Sequence, residues 1–197
     1  MSKAVRAVIF GVLVAVAVSA AMAYLDAVTG KSDMTTDVII GAVFGAITAY
    51  VFGNLAGNRS IANAGNAERA TALIRTPPPG KMLLYIQREG FVAKMAGLNI
   101  AIDGRPVAQL KAPRFTLIVV PARQTTLSAG FGGLAGPQNR AGEIVIDPPP
   151  GGIAVVKIAV AMGLVQGSLR FTVQPNPQGA RAALATIPMT PADVPEI

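Results

Sequence analysis

The sequence predicts an α+β membrane protein: a two-helix transmembrane hairpin at the N-terminus, an antiparallel β-sandwich of about eight strands and a short C-terminal helix. Two long uncharged apolar runs lie within the first 58 residues, and after residue 81 the hydropathy pattern changes to a period of two. Only 14% of the 197 residues are charged, and the mean hydropathy is +0.51. Because soluble domains carry about 25% charged residues on average, this composition favours a membrane-attached chain.

The composition also excludes several kinds of chemistry. The chain contains no His, Cys or Trp. Without His and Cys it cannot form a Ser-His-Asp or Cys-His catalytic unit, a structural zinc site, an iron–sulfur cluster or a disulfide. A paired-carboxylate hydrolase needs two acids at a defined separation, and the spacing of the acids after residue 58 does not support one. We therefore expect a protein that is not an enzyme, with no catalytic, cofactor-binding or metal-ligating residues.

The two apolar runs predict membrane spans over about residues 7–25 and 38–57, each near the ~20 residues that a helix needs to cross a hydrocarbon core. A short polar link that contains Gly30 joins them, so we expect a helical hairpin over residues 1–58. A cleaved signal peptide is the alternative for the first run, because Lys3 and Arg6 precede it and Ala21-Met22-Ala23 resembles a cleavage site. The run exceeds the usual length of a signal-peptide core, which favours a retained span.

Small residues recur every four positions in both runs. Small residues let helix backbones approach closely in lipid. The predicted helix-packing residues are Gly11, Ala15, Ser19 and Ala23 in the first run and Gly41, Gly45, Ala49, Gly53 and Gly57 in the second. The alternative is that Ala and Gly are simply common in such helices. In the second run a packing face is favoured, because each glycine costs a helix about 1 kcal/mol relative to alanine. The sequence leaves open whether the two faces pair with each other or with neighbouring copies.

Basic residues near the spans predict the orientation. Lys and Arg concentrate on the cytoplasmic side of membrane spans, where they also contact anionic lipid. The predicted lipid contacts are Lys3 and Arg6 before the first run and Arg59, Arg69 and Arg75 after the second. This bias puts both termini and the β-domain on the cytoplasmic side, with the periplasmic side as the alternative.

The second half divides into a linker over residues 59–80, a β-sandwich over 81–187 and an extended tail over 188–197. The linker is polar at first, permits a helix from Asn66 to Arg75 and ends in a proline run, which stops a helix. Predicted strands cover 82–87, 98–102, 107–110, 115–120, 125–129, 143–146, 153–161 and 168–174. Asp103-Gly104 predicts a type I′ hairpin turn, and residues 180–187 predict the closing helix.

Three stretches in this half suggest a family: LNIAIDGRPVAQL, FTLIVVPARQTTLSA and VAMG. With them, residues 81–187 resemble an uncharacterised bacterial envelope β-sandwich family, domain of unknown function 2846. The resemblance implies a sandwich in an envelope setting, without a known activity. Members are often lipoproteins. Here the hairpin replaces the lipoprotein cysteine, so we expect an integral protein of the bacterial inner membrane.

A glycine-rich loop over residues 130–136 is the remaining motif. Phosphate-binding loops join a strand to a helix and carry a lysine and a hydroxyl, whereas this segment is expected to join two strands and lacks both. A flexible loop is the better interpretation. We expect its Phe131 and Leu134 to be exposed and to contact a membrane or a partner.

The function expected from these features is that of a non-enzymatic, membrane-anchored structural or interaction protein. Its expected partners are membrane lipids and either its own copies in a homo-oligomer or the subunits of a larger membrane complex. No nucleic-acid binding is expected, because the basic residues are dispersed and aromatic residues make up only 5%. One alternative is a module that binds a lipid, glycan or peptide. Another is an oligomeric pore, which the absence of charge within the spans disfavours.

Overall fold

The structure, a computed structural model, describes residues 1–30, 33–133, 135–163 and 166–197. The chain divides into two compact units, one made of residues 1–57 with 133–135 and the other of residues 58–132 with 136–197. Two apolar helices come first, followed by two β-sheets and a short C-terminal helix. The predicted α+β class is therefore confirmed.

The first unit contains helix α1 (Lys3–Thr29) and helix α2 (Met34–Leu55). The hydroxyl of Ser2 accepts the Val5 amide and caps the start of α1, and Gly30 ends that helix with φ of 70°. The carboxylate of Asp33 accepts the Thr36 amide and caps α2. Both helices, of 27 and 22 residues, are long and apolar enough to cross a membrane by length and composition.

The second unit begins with helix α3 (Asn66–Ile74) and contains two sheets. The strands are β1 (Lys81–Arg88), β2 (Leu98–Ile102), β3 (Arg105–Leu110), β4 (Arg114–Pro121), β5 (Thr125–Phe131), β6 (Asn139–Arg140), β7 (Gly142–Ile146), β8 (Ile153–Ala161) and β9 (Gly167–Val173). A helical turn, α4 (Ala135–Gln138), precedes β6. One sheet has the order β4-β1-β8-β9-β6 and the other the order β3-β2-β5-β7. The eight predicted strands all correspond to observed strands, and the short β6 was not predicted.

The larger sheet is mixed, so the prediction of a wholly antiparallel sandwich is wrong. Strand β1 runs antiparallel to β4 but parallel to β8, from Leu83 opposite Ile153 to Arg88 opposite Ile158. The four-stranded sheet is antiparallel throughout. Turn signals in a sequence report only on strands that follow each other, whereas β1 and β8 are far apart in the chain. Their relative direction therefore left no local signal.

Strand β1 lies at the centre of the unit and is buried on both faces. Leu84 and Ile86 point into the core between the two sheets, where they join Ile100 and Val156. The alternate residues, such as Tyr85, point into a second cluster on the opposite face of the larger sheet; its other members include Ala72, Phe115, Leu184 and Met189. A strand covered on both faces reads as a continuous apolar run, as MLLYI does here.

The turn between β2 and β3 has the predicted form. Asp103 and Gly104 both have positive φ, 48° and 78°, as a type I′ turn requires. The Asp103 carboxylate accepts the Thr126 amide at 2.8 Å, which ties the turn to β5.

The closing helix begins three residues earlier than predicted. Helix α5 covers Pro177–Ala183 and continues as a short 3₁₀-helix over Leu184–Thr186. Asn176 caps it by accepting the Gly179 amide, and proline is favoured at the first position of a helix.

The tail after this helix lies extended along one side of the sandwich. Its Met189 and Glu196 form parallel bridges with Phe115 and Val119 of β4. The amide of Asp193 donates to the Val107 carbonyl of β3 at 2.8 Å. The tail therefore covers the side of the sandwich where β3 and β4, the edge strands of the two sheets, come together.

Candidate functional site

The predicted small-residue faces of α1 and α2 meet inside the hairpin. A Cβ at Gly45 would lie 2.6 Å from the Ala15 Cβ, and one at Gly11 would lie 2.7 Å from the Ala49 Cβ. A Cβ at Gly41 would collide with the Ser19 hydroxyl, which itself donates to the Asp37 carbonyl at 3.1 Å. Because real Cβ atoms do not approach so closely, this contact between the helices depends on glycine.

The other predicted packing residues have different surroundings. Gly53 is buried, Gly57 lies beyond the end of α2 and is partly buried, and Ala23 is exposed. The four-residue repeat therefore corresponds to close packing over the middle of the hairpin, and it does not extend to Ala23.

Large apolar side chains cover the outer surface of the hairpin. Their exposed fractions are 44–63% at Val8, Ile9, Phe10, Val12, Leu13 and Val16 of α1 and 46–57% at Val38, Ile39, Val43, Phe44, Ile47, Val51 and Phe52 of α2. Contiguous exposed apolar surface of this kind marks a contact with a membrane or another protein. The outer surface of the hairpin is therefore a candidate lipid-facing surface.

The predicted lipid-contacting basic residues are mostly exposed. Lys3, Arg6, Arg59 and Arg75 are exposed, and Arg69 is partly buried. Arg59 forms an ion pair with Asp193 at 2.5 Å. An exposed ion pair of this type contributes little to stability.

In the second unit, the most unusual buried group is Arg88 at the end of β1. Its side chain is fully buried, and its guanidinium donates hydrogen bonds to the carbonyls of Ala93, Ala96 and Leu110. The guanidinium also lies 5.1 Å from the centroid of the Phe131 ring. Burial lowers the pKa of Arg88 to about 10. The cation is thus held by carbonyl dipoles and an aromatic face.

The acceptors of Arg88 define what it does locally. Ala93 and Ala96 belong to the segment between β1 and β2, which we call the 89–97 loop, and Leu110 is the last residue of β3. Ala93 has a positive φ of 51°, an uncommon conformation for a residue with a Cβ. The buried guanidinium therefore fixes the shape of the 89–97 loop and its position against β3.

The 89–97 loop carries two large apolar side chains that are well exposed. Phe91 is 84% exposed and Met95 is 61% exposed. Lys94 lies between them and is also exposed. The Asn58 side chain binds the same loop, donating to the Met95 carbonyl at 2.8 Å and accepting the Gly97 amide.

Further basic residues lie beside this loop. The Ala112 amide donates to the Lys94 carbonyl at 3.3 Å, which brings the segment after Lys111 alongside the loop. Arg114 pairs opposite Arg88 in the β1–β4 register. Glu89, at the start of the loop, forms an ion pair with Lys157, with 3.6 Å between the carboxylate oxygen and the ammonium nitrogen. The loop surface is therefore both apolar and basic.

No family model, curated protein or solved structure matches this chain. The resemblance of residues 81–187 to a bacterial envelope family thus stays a prediction, and a functional interpretation rests on the geometry of the chain itself. Within the described ranges there is also no group of three or more Asp, Glu, His or Cys residues that could hold a metal ion.

Phe131 and Leu134 were the apolar residues that the sequence marked for partner or membrane contact. Phe131 is the last residue of β5 and is half-buried, with its ring against Arg88, so it is not on an exposed loop tip. Leu134 lies outside the described residues. Sequence reasoning missed Phe91 and Met95, although GFVAKMAG pairs two large apolar residues with a lysine between glycines, which is a detectable signal.

A second candidate site is a groove on the outer face of the four-stranded sheet. Its volume is about 560 Å³. The lining is mostly small or polar and includes Asn99, Ala101, Ser128, Gly130 and Glu143. Such a lining can accommodate a flat or extended ligand, with Glu143 as its charged group.

Proposed function

We propose that this chain is a non-enzymatic, membrane-anchored interaction protein of the bacterial inner membrane, in which the α1–α2 hairpin is the anchor and the β-sandwich contacts other proteins. One observation carries the proposal. The two helices pack through their small faces and direct large apolar side chains outward. In water each such side chain would forgo about 1.5–3 kcal/mol of burial free energy, and a hydrocarbon surrounding removes that cost.

The position of the basic residues supports a cytoplasmic β-domain. Lys3 and Arg6 stand at the start of α1, while Arg59, Arg69 and Arg75 follow α2. Two spans return the chain to the side where it began. By the Lys/Arg rule, both termini then lie in the cytoplasm.

An interaction role for the sandwich follows from how the hairpin uses its packing surface. The contact between α1 and α2 of one chain already buries the small faces at Gly11, Gly41 and Gly45, so these faces are not open to another copy. Contacts with further copies or with other subunits therefore fall to the β-sandwich and to the outer surface of the hairpin. We propose a homo-oligomer or a larger membrane complex on this basis.

Membrane integration and orientation are tested together in bacterial membranes. The full chain should remain in the membrane fraction after alkaline carbonate extraction. Since the chain has no cysteine, a single cysteine at Gln138 and another at Thr29 report the two sides with a membrane-impermeant thiol reagent. We expect labelling of Thr29→Cys in intact spheroplasts and of Gln138→Cys only after lysis. Release by carbonate contradicts the anchor, and the reverse labelling contradicts the orientation.

Assembly is tested by native mass spectrometry of the full chain in mild detergent. A discrete oligomer or a defined set of co-purifying subunits is expected. A clean monomer without partners would contradict the interaction role.

Ligand binding by the sandwich is the second candidate function, and the groove lined by Ser128 and Glu143 is the observation that favours it. A lipid, glycan or peptide retained through purification should dissociate from a Ser128→Trp variant, whose indole fills the groove. A Gln178→Trp variant, altered at an exposed position outside the groove, is the control.

A further inference from the structure

We infer that the 89–97 loop is a bilayer-docking element, which inserts Phe91 and Met95 into the interface of an anionic lipid surface beside the point where the chain leaves the membrane. The inference rests on the proposed function, because it requires that α2 spans the bilayer. It adds a second, reversible contact between the β-sandwich and lipid to the anchor that the hairpin provides.

The first step is the location of the loop along the chain. Asn58 holds the loop through the Met95 carbonyl and the Gly97 amide. Helix α2 ends at Leu55, only three residues before Asn58. Three extended residues span roughly 10–11 Å. The side chain that fixes the loop therefore belongs to a residue that cannot be far from the end of the proposed span.

The second step is the chemistry that the loop exposes. Phe91 is 84% exposed and Met95 is 61% exposed, and exposed Lys94 separates them. Apolar side chains flanked by cationic ones are typical of segments that lie in the headgroup region. Lys111 directly follows β3, and Arg114 is the first residue of β4 and lies opposite Arg88. Both basic residues are therefore at the same end of the sandwich as the loop. This charge complements anionic headgroups.

The third step is the rigidity of the loop. The buried Arg88 guanidinium binds the carbonyls of Ala93 and Ala96, on the two sides of Met95 and Lys94. A loop held in one conformation loses little entropy when it docks. The buried Arg88 therefore holds the loop in a fixed conformation that exposes Phe91 and Met95, while Arg88 itself does not contribute to the exposed surface.

The experiment uses tryptophan fluorescence of the full chain, which contains no native tryptophan. Phe91→Trp places a reporter in the loop, where high exposure makes the substitution tolerable. Ala122→Trp is the matched control. It is exposed and follows Pro121, which pairs with Lys81 at the opposite end of β1 from Arg88. Both variants are reconstituted into phosphatidylcholine vesicles with phosphatidylglycerol, with and without brominated acyl chains, and checked for folding by circular dichroism.

We expect the emission of Phe91→Trp to be blue-shifted and quenched by the brominated lipid, while Ala122→Trp is neither. In the Phe91→Trp background, Lys94→Gln should lower the ratio of docked to undocked loop about fivefold, as expected for one basic residue at an anionic surface. In vesicles of pure phosphatidylcholine, which carry no net charge, the emission of Phe91→Trp should be less blue-shifted and less quenched than in vesicles with phosphatidylglycerol.

Two results would overturn the inference and leave the proposed function intact. One is a Phe91→Trp signal no more quenched than that of Ala122→Trp in protein that resists carbonate extraction. The other is a blue shift without quenching, which assigns the loop to a contact with protein, either another copy or a different subunit. Release of the full chain by carbonate would instead remove the proposed anchor, and the docking loop with it.

Discussion

The guanidinium of Arg88 lies 5.1 Å from the ring centroid of Phe131, so the last residue of β5 covers the buried cation at the end of β1. The two residues belong to different sheets. Three backbone carbonyls accept hydrogen bonds from the two terminal nitrogens of the guanidinium. This pair therefore joins the two sheets at the end of the sandwich that carries the 89–97 loop.

Replacing Arg88 by methionine should lower the free energy of unfolding by at least about 2 kcal/mol, because it removes three hydrogen bonds donated by a buried charged group. Methionine keeps much of the apolar stem. Loss of the guanidinium should also free the 89–97 loop, so trypsin should cut after Lys94 faster than in the parent protein. Both effects are measured on the full chain in detergent, by chemical unfolding and by limited proteolysis.

Arg105→Met is the matched control for that experiment. Arg105 is exposed beside the Asp103–Gly104 turn, and surface substitutions of this kind change stability by about 0.5 kcal/mol or less. An Arg88→Met variant as stable as Arg105→Met would show that the three hydrogen bonds are not needed to hold the fold.

Gly45→Leu should separate the two helices of the hairpin. The new Cβ would lie 2.6 Å from both the Ala15 Cβ and the Gly11 carbonyl oxygen, and overpacking of this kind costs about 1–3 kcal/mol. Cysteines at Phe10 and Phe52 provide the measurement, because these side chains meet between α1 and α2 with their ring centroids 5.0 Å apart and the chain has no cysteine of its own. Oxidation should join them within one chain, and Gly45→Leu should reduce the yield of that intrachain bond.

Ala46→Leu adds the same side chain one position along, on the exposed surface of α2, and should leave the cross-link unchanged. Disulfide-linked dimers in place of the intrachain bond would mean that the small faces pair between copies.

The stability of the second unit should depend on pH through Tyr85. The Tyr85 hydroxyl is buried and donates to the Ala72 carbonyl at 2.6 Å. Burial raises the pKa of this hydroxyl above its ordinary value of 10.0, and the positive charges of Arg181 and Arg75 oppose part of that rise. In the folded state Tyr85 therefore keeps its proton at a pH where the unfolded chain has lost it.

The sign of the effect follows from proton linkage: the free energy of unfolding falls with rising pH wherever the folded state binds more protons. The contribution of Tyr85 is complete below pH 10 and is lost as the pH rises through the folded pKa. Tyr85→Phe should cost about 1 kcal/mol at neutral pH and should show a smaller further loss in alkaline solution. Equal alkaline losses in both proteins would exclude Tyr85 as the responsible group.

Local patterns predicted the elements of this chain well because each depends on neighbouring residues. The apolar runs, the Asp103-Gly104 turn and the alternation of Leu98, Ile100 and Ile102 are all local signals. The parallel pairing of β1 with β8 depends on residues about 70 positions apart and has no such signal. The burial of Arg88 was equally hidden, since a lone arginine at a strand end usually faces solvent.

Removal of residues 188–197 should destabilise the second unit, although prolines and polar residues make this segment look like a free tail. Met189 is 6% exposed within the cluster around Tyr85, and Val194 and Ile197 pack against the core between the sheets. The Lys81 ammonium also donates to an oxygen of Ile197 at 2.6 Å.

Burying one large apolar side chain is worth about 1.5–3 kcal/mol, so a chain ending at Ile187 should lose several kcal/mol of stability. It should unfold at a lower temperature than the full chain in the same detergent. Lys81→Gln removes the ion pair with Glu196 and the ammonium bound to Ile197 but leaves the apolar contacts, so it should cost far less. If the truncation costs no more than Lys81→Gln, the apolar packing of the tail is not what holds it in place.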